Sequence, residues 1–277
     1  MTVGEALLQG TQLLEDSGIA APRLTAEVLL AFALQRERTY LYAHSDDELG
    51  RIGWIHFGRY LHERLKGKPT QYITKRQEFY GREFAVSPAV LIPRPETEHV
   101  VEAALKRMRA GDVVLDVGTG SGAIAITLAL ECAGARVTGC DISAEALAVA
   151  KSNAARLGAQ AGFVRCDMLS AIGAADVIVS NPPYVPRNDE HSIQREVREW
   201  EPHVALFAGE SGMEAYARII EDAPRVLRPG GWLIFELGYT AAGPVSAMLG
   251  EGWSEVELIP DLAGLPRVLA AQLSPIV

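Results

Sequence analysis

The segment Val177-Ile-Val-Ser-Asn-Pro-Pro-Tyr184 ends an apolar, strand-like run with an asparagine, two prolines and a tyrosine. Two successive prolines fix φ and remove two backbone donors, leaving a surface rich in acceptors: the Asn181 side-chain oxygen and the Pro182 carbonyl. Such a pair suits a planar NH2 group, an amide or an exocyclic aryl amine, whose delocalised lone pair makes it a poor nucleophile. Two acceptors gripping its two hydrogens draw the nitrogen toward tetrahedral geometry and aim its lone pair at an electrophile. Fixed dipoles stabilise the positive charge that develops there, and holding the reactants in line removes a further share of the barrier. Tyr184 adds a flat face on which a planar group can stack. Asn181, Pro182 and Tyr184 are the candidate catalytic residues; with Pro183 they form the candidate substrate site. An ordinary strand-ending turn would also use Asn-Pro-Pro, so the assignment depends on what lies beside it.

Upstream, Val113-Val-Leu-Asp-Val-Gly-Thr-Gly-Ser-Gly122 reads as a strand, a glycine turn and a helix start. Gly118, Gly120 and Gly122 permit positive φ and close backbone approach to a ligand. The helix start offers free N–H groups and a positive dipole end. Two ligands compete for such a turn. Gly118-x-Gly120-x-x-Ala123 satisfies the dinucleotide pattern, with Asp141 standing where a ribose-binding acid belongs. Asp116 weighs against a dinucleotide, because a carboxylate at the mouth of the turn repels pyrophosphate but suits the ammonium of a methionine moiety. The stretch resembles motif I of class I methyltransferases. That resemblance implies S-adenosylmethionine, held by Asp116, Gly118, Thr119, Gly120, Ser121 and Gly122. Asp141 would then accept from the ribose hydroxyls, Asp167 would meet the adenine amino group and Met168 would pack on the ring. Asn181 counts in both the cofactor and the substrate site.

These groups need a scaffold. Residues 1–75 read as helical: Thr2 caps a first amphipathic stretch, Arg23 to Leu34 repeats the spacing, and Ile52 to Leu65 is stopped by Gly67 and Pro69. Residues 76–92 carry aromatic and β-branched positions around Gly81, which predicts a β-hairpin linker. From residue 93 to 277, strand-like runs (Val113–Val117, Arg136–Cys140, Gly162–Cys166, Asp176–Ser180, Trp232–Leu237, Ser254–Ile259, Arg267–Leu273) alternate with helical ones (Ala123–Leu130, Ala144–Leu157, Glu214–Leu227, Ala241–Leu249). The expectation is an α/β fold of the class I, Rossmann-like methyltransferase type. Its seven-stranded sheet would be mostly parallel, with the last pair antiparallel. A small N-terminal all-helical domain would be joined to it by the hairpin.

Composition narrows the partners. Hydrophobic residues make up 48% of the 277-residue chain and the formal net charge is -9. A protein whose main partner is naked nucleic acid usually carries a basic face; Lys66, Lys68, Lys75 and Arg76 are only a local cluster, so no direct nucleic-acid substrate is expected. Cys132, Cys140 and Cys166 have no paired spacing and read as buried reduced thiols. No histidine, including His56 and His62, stands at metal-ligand spacing, so no metal is expected. The N-terminus lacks a basic stretch followed by an apolar core, and no apolar run approaches the roughly 20 residues that span a bilayer. A cytoplasmic protein with no membrane attachment is the expectation.

A named family then matches over most of the chain. Leu91-Ile-Pro-Arg-Pro-Glu-Thr-Glu98, Gln77-Glu-Phe-Tyr-Gly81, Val86-Ser-Pro88, Glu201-Pro-His-Val-Ala-Leu206 and Gly209-Glu-Ser-Gly-Met213 together resemble the HemK family of peptide chain release factor N5-glutamine methyltransferases. The resemblance implies methylation of the glutamine in the Gly-Gly-Gln motif of class I release factors, a protein partner that suits an acidic chain. Glu96, Thr97 and Glu98 would shape the cofactor entrance. Arg195, Arg198 and Glu201 would order the loop after Tyr184. Lys75, where the family often has glycine, and Met168, where an aromatic is common, are departures that leave the chemistry in place. The alternatives are ribosomal-protein glutamine methylation, whose family usually lacks the Arg94 to Glu98 form, and adenine N6 or guanine N2 methylation, which requires a basic, base-flipping channel. A module that binds the cofactor without turnover is a further alternative, against which intact Asn181 and Tyr184 weigh.

Overall fold

The computed structural model describes residues 1–170 and 173–275. Two compact units result: Met1–Arg76 with Gln194–Trp200, and Gln77–Ile193 with Glu201–Val277.

The first unit is helical: α1 (Val3–Asp16), α2 (Pro22–Leu34), α3 (Arg38–Ala43), α4 (Arg51–Leu65) and α5 (Thr70–Thr74). Thr2 and Glu5 close a reciprocal capping box at the start of α1. The apolar faces meet around Leu7, Leu14, Leu29, Leu30 and Phe57. Two charged residues, Glu27 and Arg64, are buried in this unit. Glu27 of α2 accepts from Arg23 at 2.8 Å, Arg38 at 2.6 Å and the Tyr42 hydroxyl at 2.7 Å, which fastens α3 to α2.

The second unit begins with the two-stranded pair β1 (Arg76–Phe79) and β2 (Arg82–Ala85), followed by α6 (Glu98–Leu105). Then come β3 (Val113–Val117), α7 (Ala123–Glu131), β4 (Arg136–Asp141), α8 (Ala144–Leu157), β5 (Ala161–Arg165) and β6 (Ala175–Ser180). After β6 lie α9 (Arg195–Trp200), α10 (His203–Leu206), α11 (Glu214–Val226), β7 (Leu227–Glu236), α12 (Ala242–Met248), β8 (Trp253–Pro260) and β9 (Pro266–Leu273). Among the described residues seven strands form one sheet in the order β5-β4-β3-β6-β7-β9-β8, parallel except for β9. This is the expected fold class.

Both faces of the sheet are covered, so successive residues of one strand enter different cores. Val114, Val177 and Ile234 pack with Val100 and Val101 of α6 and Ile124 and Leu128 of α7. Their neighbours Leu115, Ile178, Leu233 and Phe235 pack with Tyr216 and Ile219 of α11 and Val245 of α12. The chain runs outward from β3 to β5, then returns to place β6 on the other side of β3. Ligands bind at such a reversal, outside the carboxyl ends of the strands.

Three local differences from the sequence reading stand out. β7 starts at Leu227, running through Pro229-Gly-Gly231, because a register shift between Ala175 and Val177 takes up the extra residues. Residues 93–112, to which the sequence reading assigned no element, hold a short 3-10 turn at Pro95–Thr97 and α6. Helix α9 belongs to the helical unit although it is encoded inside the second one: Glu196 pairs with Arg64, and Lys68 lies 5.9 Å from the Trp200 ring. No helix among the described residues is long and apolar enough to cross a membrane.

Burial raises the pKa of Glu27, but its three donors outweigh this and hold the carboxyl at about 2. Glu27→Ala is expected to lower the unfolding free energy by about 2 kcal/mol, less than a fully buried pair because both arginines are half exposed. Urea unfolding of the two proteins checks this. The difference should be complete at neutral pH and shrink as pH falls below the ordinary carboxylate range toward about 2.

Candidate active site

The glycine turn leaves β3 with φ of +74° at Gly118, +53° at Gly120 and +82° at Gly122, values that an L side chain rarely adopts. Four hydrogen bonds fasten it. The amides of Gly118 and Thr119 both donate to the Cys140 carbonyl of β4 at 2.9 Å. Gly120 N donates to Asp141 Oδ2 at 2.9 Å, and Thr119 Oγ1 donates to Asp116 Oδ2 at 2.6 Å.

Asp116 is fully buried and also accepts from the Ala125 amide at 3.1 Å. Its other oxygen, Oδ1, has no partner among the described residues. Burial pushes its carboxyl up to about 7 against the Thr119 and Ala125 bonds, with Asp141 adding to the rise. Asp116 therefore acts on the turn from behind. Asp141 has two tasks: Oδ1 accepts from Ser143 N at 2.9 Å, and Ser143 caps α8 through the Ala146 amide. Each Asp141 oxygen has used one lone pair and keeps another for a ligand.

A cleft of about 360 Å³, within the size range of small-molecule sites, opens at this edge of the sheet. Gly118, Gly120, Asp141, Asp167 and Met168 line it, and so do Asn181, Pro182 and Pro183. The structure thus brings both sequence motifs to one cavity. Thr119, Ser121 and Gly122 lie behind the wall with Asp116, where they shape the turn. Asp167 is exposed and pairs with Arg218 at 2.8 Å. Met168 adopts a φ of +50°, and its carbonyl accepts from the Cys140 and Cys166 thiols at 3.4 and 3.0 Å. Burial raises the Cys140 pKa, keeping that thiol protonated.

Sequence reasoning missed the apolar wall. Leu91, Ile142, Val204 and Phe207 line the cleft, drawn from three separate segments. Only Ile142 had a local signal, its place directly after Asp141. A slot with a carboxylate at the β4 end, glycine backbone at the turn and flat apolar walls fits a nucleoside carrying an amino-acid tail.

Asn181 follows Ser180, whose hydroxyl donates to the Val117 carbonyl at 2.7 Å, tying the ends of β6 and β3 together. Its amide nitrogen donates to Thr97 Oγ1 at 3.2 Å, and Thr97 Oγ1 donates to Glu236 Oε2 at 2.5 Å. Tyr184 lies outside the cleft wall and packs on Gly238, where a Cβ would come within 2.8 Å of the ring. Burial pushes its hydroxyl up to about 12, so it stays neutral.

The segment from Arg94 to Glu98 is distributed in an unforeseen way. Thr97 sits beneath Asn181, Glu98 accepts from the Tyr80 amide at 2.7 Å, and Glu96 is exposed. Glu201, buried, accepts from the Ile92 amide at 3.0 Å and from Arg94 at 2.5 Å, so it anchors the strap before α6. Arg195 instead pairs with Glu199 within α9. Among the described residues no His, Cys, Asp and Glu cluster could hold a metal.

Two family models match: the PrmC N-terminal domain over residues 5–74 and the methyltransferase small domain over residues 97–199. The chain is 46% identical over 278 residues to the release factor glutamine methyltransferase of Koribacter versatilis (strain Ellin345), which covers 98% of this chain and 99% of that protein. With the protein of the same name from Chlorobaculum tepidum it shares 43% identity over 284 residues, 97% of this chain and 96% of that one. The crystal structure of a methyltransferase from Pyrococcus furiosus has the same fold: TM-score 0.55 and 21% identity over 79% of this chain and all of that one. With a glycine turn and an Asn-Pro-Pro segment in one cleft, and such identity over nearly the whole length, the chain belongs to the release factor glutamine methyltransferase family.

Proposed function

We propose that this chain transfers a methyl group from S-adenosylmethionine to the side-chain amide N5 of the glutamine in the Gly-Gly-Gln motif of class I peptide chain release factors. The observation that carries the reading is the position of Asn181 and Pro182, acceptors at the end of β6, in the wall of the cleft that also holds the glycine turn.

S-adenosylmethionine, when bound, supplies an electrophilic methyl carbon on a sulfonium. The chain's own residues do the rest. Gly118 and Gly120 offer backbone to the amino-acid end, Asp141 offers its remaining lone pairs to ribose hydroxyls, and Ile142 and Met168 give apolar contact to the adenine. Asp167 keeps acceptor capacity for the adenine amino group beside its Arg218 pair. Because the Asn181 nitrogen is turned to Thr97, its oxygen is left for the substrate. That oxygen and the Pro182 carbonyl take the two amide hydrogens, localise the lone pair and stabilise the charge that appears on nitrogen. Tyr184 and Pro183 support the site from the side. An N-protonated amide is a strong acid and loses its proton to water, so no dedicated base is required.

In this reading residues 1–75 recognise the protein substrate, 76–92 join them to the rest, and 93–277 form the methyltransferase domain. Two features support a protein partner: the net charge of -9 and the apolar Ile52, Trp54 and Ile55 at the surface of α4. A reaction on release factors is consistent with a cytoplasmic location.

The direct test incubates the chain with labelled S-adenosylmethionine, purified release factor, ribosomal protein and DNA. Label is expected in the release factor and should vanish when the motif glutamine is changed to alanine; label mainly in DNA or ribosomal protein overturns the reading. Asn181→Ala should lower kcat by about 100-fold or more, with cofactor affinity retained in a binding titration. Asp141→Ala should instead weaken cofactor binding by about tenfold, the worth of hydrogen bonds to a charged group.

A further inference from the structure

An asparagine amide has nearly the same shape when turned over about its last torsion. Facing the substrate with oxygen, Asn181 accepts; turned over, it would push two hydrogens at an NH2 group. Some part of the fold must set the sense. Three residues from three elements meet at its far end. Asn181 follows β6, Thr97 precedes α6 and Glu236 ends β7. The distances are 3.2 Å from Asn181 Nδ2 to Thr97 Oγ1 and 2.5 Å from Thr97 Oγ1 to Glu236 Oε2. Thr97 and Glu236 are 4% and 2% exposed, so water does not compete for these bonds.

The polarity of this chain follows from counting hydrogens. A carboxylate only accepts, so the Thr97 hydroxyl is the donor of the bond to Glu236. The one hydroxyl hydrogen of Thr97 is thereby committed to Glu236. Asn181 then meets lone pairs alone, and only its NH2 end can bond there. We propose that Thr97 and Glu236 are positioning residues for methyl transfer, holding the Asn181 oxygen toward the substrate amide; this rests on the reading of Asn181 as the substrate's acceptor.

The arrangement has a second consequence. A protonated Glu236 could donate to Thr97, freeing the hydroxyl hydrogen for Asn181 Oδ1 and turning the amide over. Burial pushes Glu236 up to about 7 against its Thr97 bond. Arg267 of β9 and Arg94 favour its charged form, while Glu96 opposes it. Tyr184 and Tyr216, whose hydroxyl donates to the Glu236 carbonyl at 2.9 Å, stay neutral. The productive sense should therefore be favoured above about pH 7 and decline below it.

The test compares Thr97→Val, which keeps the shape without the hydroxyl, with Thr97→Ser, which keeps the hydroxyl. Release factor, labelled S-adenosylmethionine and a pH range of about 6 to 9 are used. Thr97→Val should lower kcat by about tenfold or more at unchanged cofactor Kd, and Thr97→Ser should keep about a third or more of the wild-type kcat. Glu236→Gln still offers an oxygen to Thr97 but cannot titrate, so it should lose the acid fall in kcat seen in the wild type. Wild-type turnover by Thr97→Val, or equal loss in Thr97→Ser, overturns the proposal. So does an unchanged acid fall in Glu236→Gln where the cofactor Kd stays constant with pH, a control for Asp116, which burial also pushes up to about 7. Asn181→Ala, run beside them, separates the two readings. If it keeps full kcat, the acceptor reading of Asn181 fails and takes the proposal with it. If it is inactive while Thr97→Val is active, only the positioning role fails.

Discussion

The parallel pairing of β3 with β6, in which Val117 lies beside Ser180 and accepts its hydroxyl at 2.7 Å, is the constraint on which the rest of the site depends. Both strands are buried on both faces, so their side chains are taken up by two hydrophobic cores and polar chemistry is confined to the carboxyl edge. The chain reverses its direction of winding between them. No crossover helix then covers the crevice, and the glycine turn and the Asn-Pro-Pro segment emerge side by side into it.

Buried carboxylates hold the loops around that edge. Asp116 fastens the turn through Thr119 and Ala125, Glu201 fastens the strap at Ile92 and Arg94, and Glu236 reaches Thr97 beneath Asn181. A buried carboxylate is costly unless hydrogen-bonded. Glu201 and Glu236 take donors from segments distant in sequence, whereas Asp116 takes them from the turn it closes. The unpartnered Oδ1 of Asp116 and the raised pKa values of Asp116 and Glu236 mark where that cost is least offset. Asp116 backs the glycine turn, and Glu236 reaches Asn181 through Thr97.

The strands and the glycine turn were legible from residue order because their signals are local. Short apolar runs bounded by turn residues and a Gly-x-Gly-x-Gly at a strand end need no knowledge of the remainder of the chain. Helix α9 carried no such mark of its destination. Its Glu196 and Trp200 find Arg64 and Lys68 in the helical unit, partners far away in sequence. The strap from Arg94 to Glu98 was recognised as a motif, yet its four polar residues diverge to Glu201, the surface, Asn181 and the Tyr80 amide.

By itself the sequence determined the fold class, and it pointed to a planar nitrogen at Asn181 to Tyr184 and to two candidate ligands at the turn from Gly118 to Gly122. Those are properties of neighbouring residues, written in spacing and in backbone freedom. Tertiary structure alone decided that Asp116, Thr119 and Ser121 stand behind the cleft wall, and that Leu91, Ile142, Val204 and Phe207 complete it. It alone decided that the Asn181 nitrogen faces Thr97 and Glu236. The sense of an amide is set by which donors and acceptors surround it, and here those arrive from three elements that meet only when the sheet has formed.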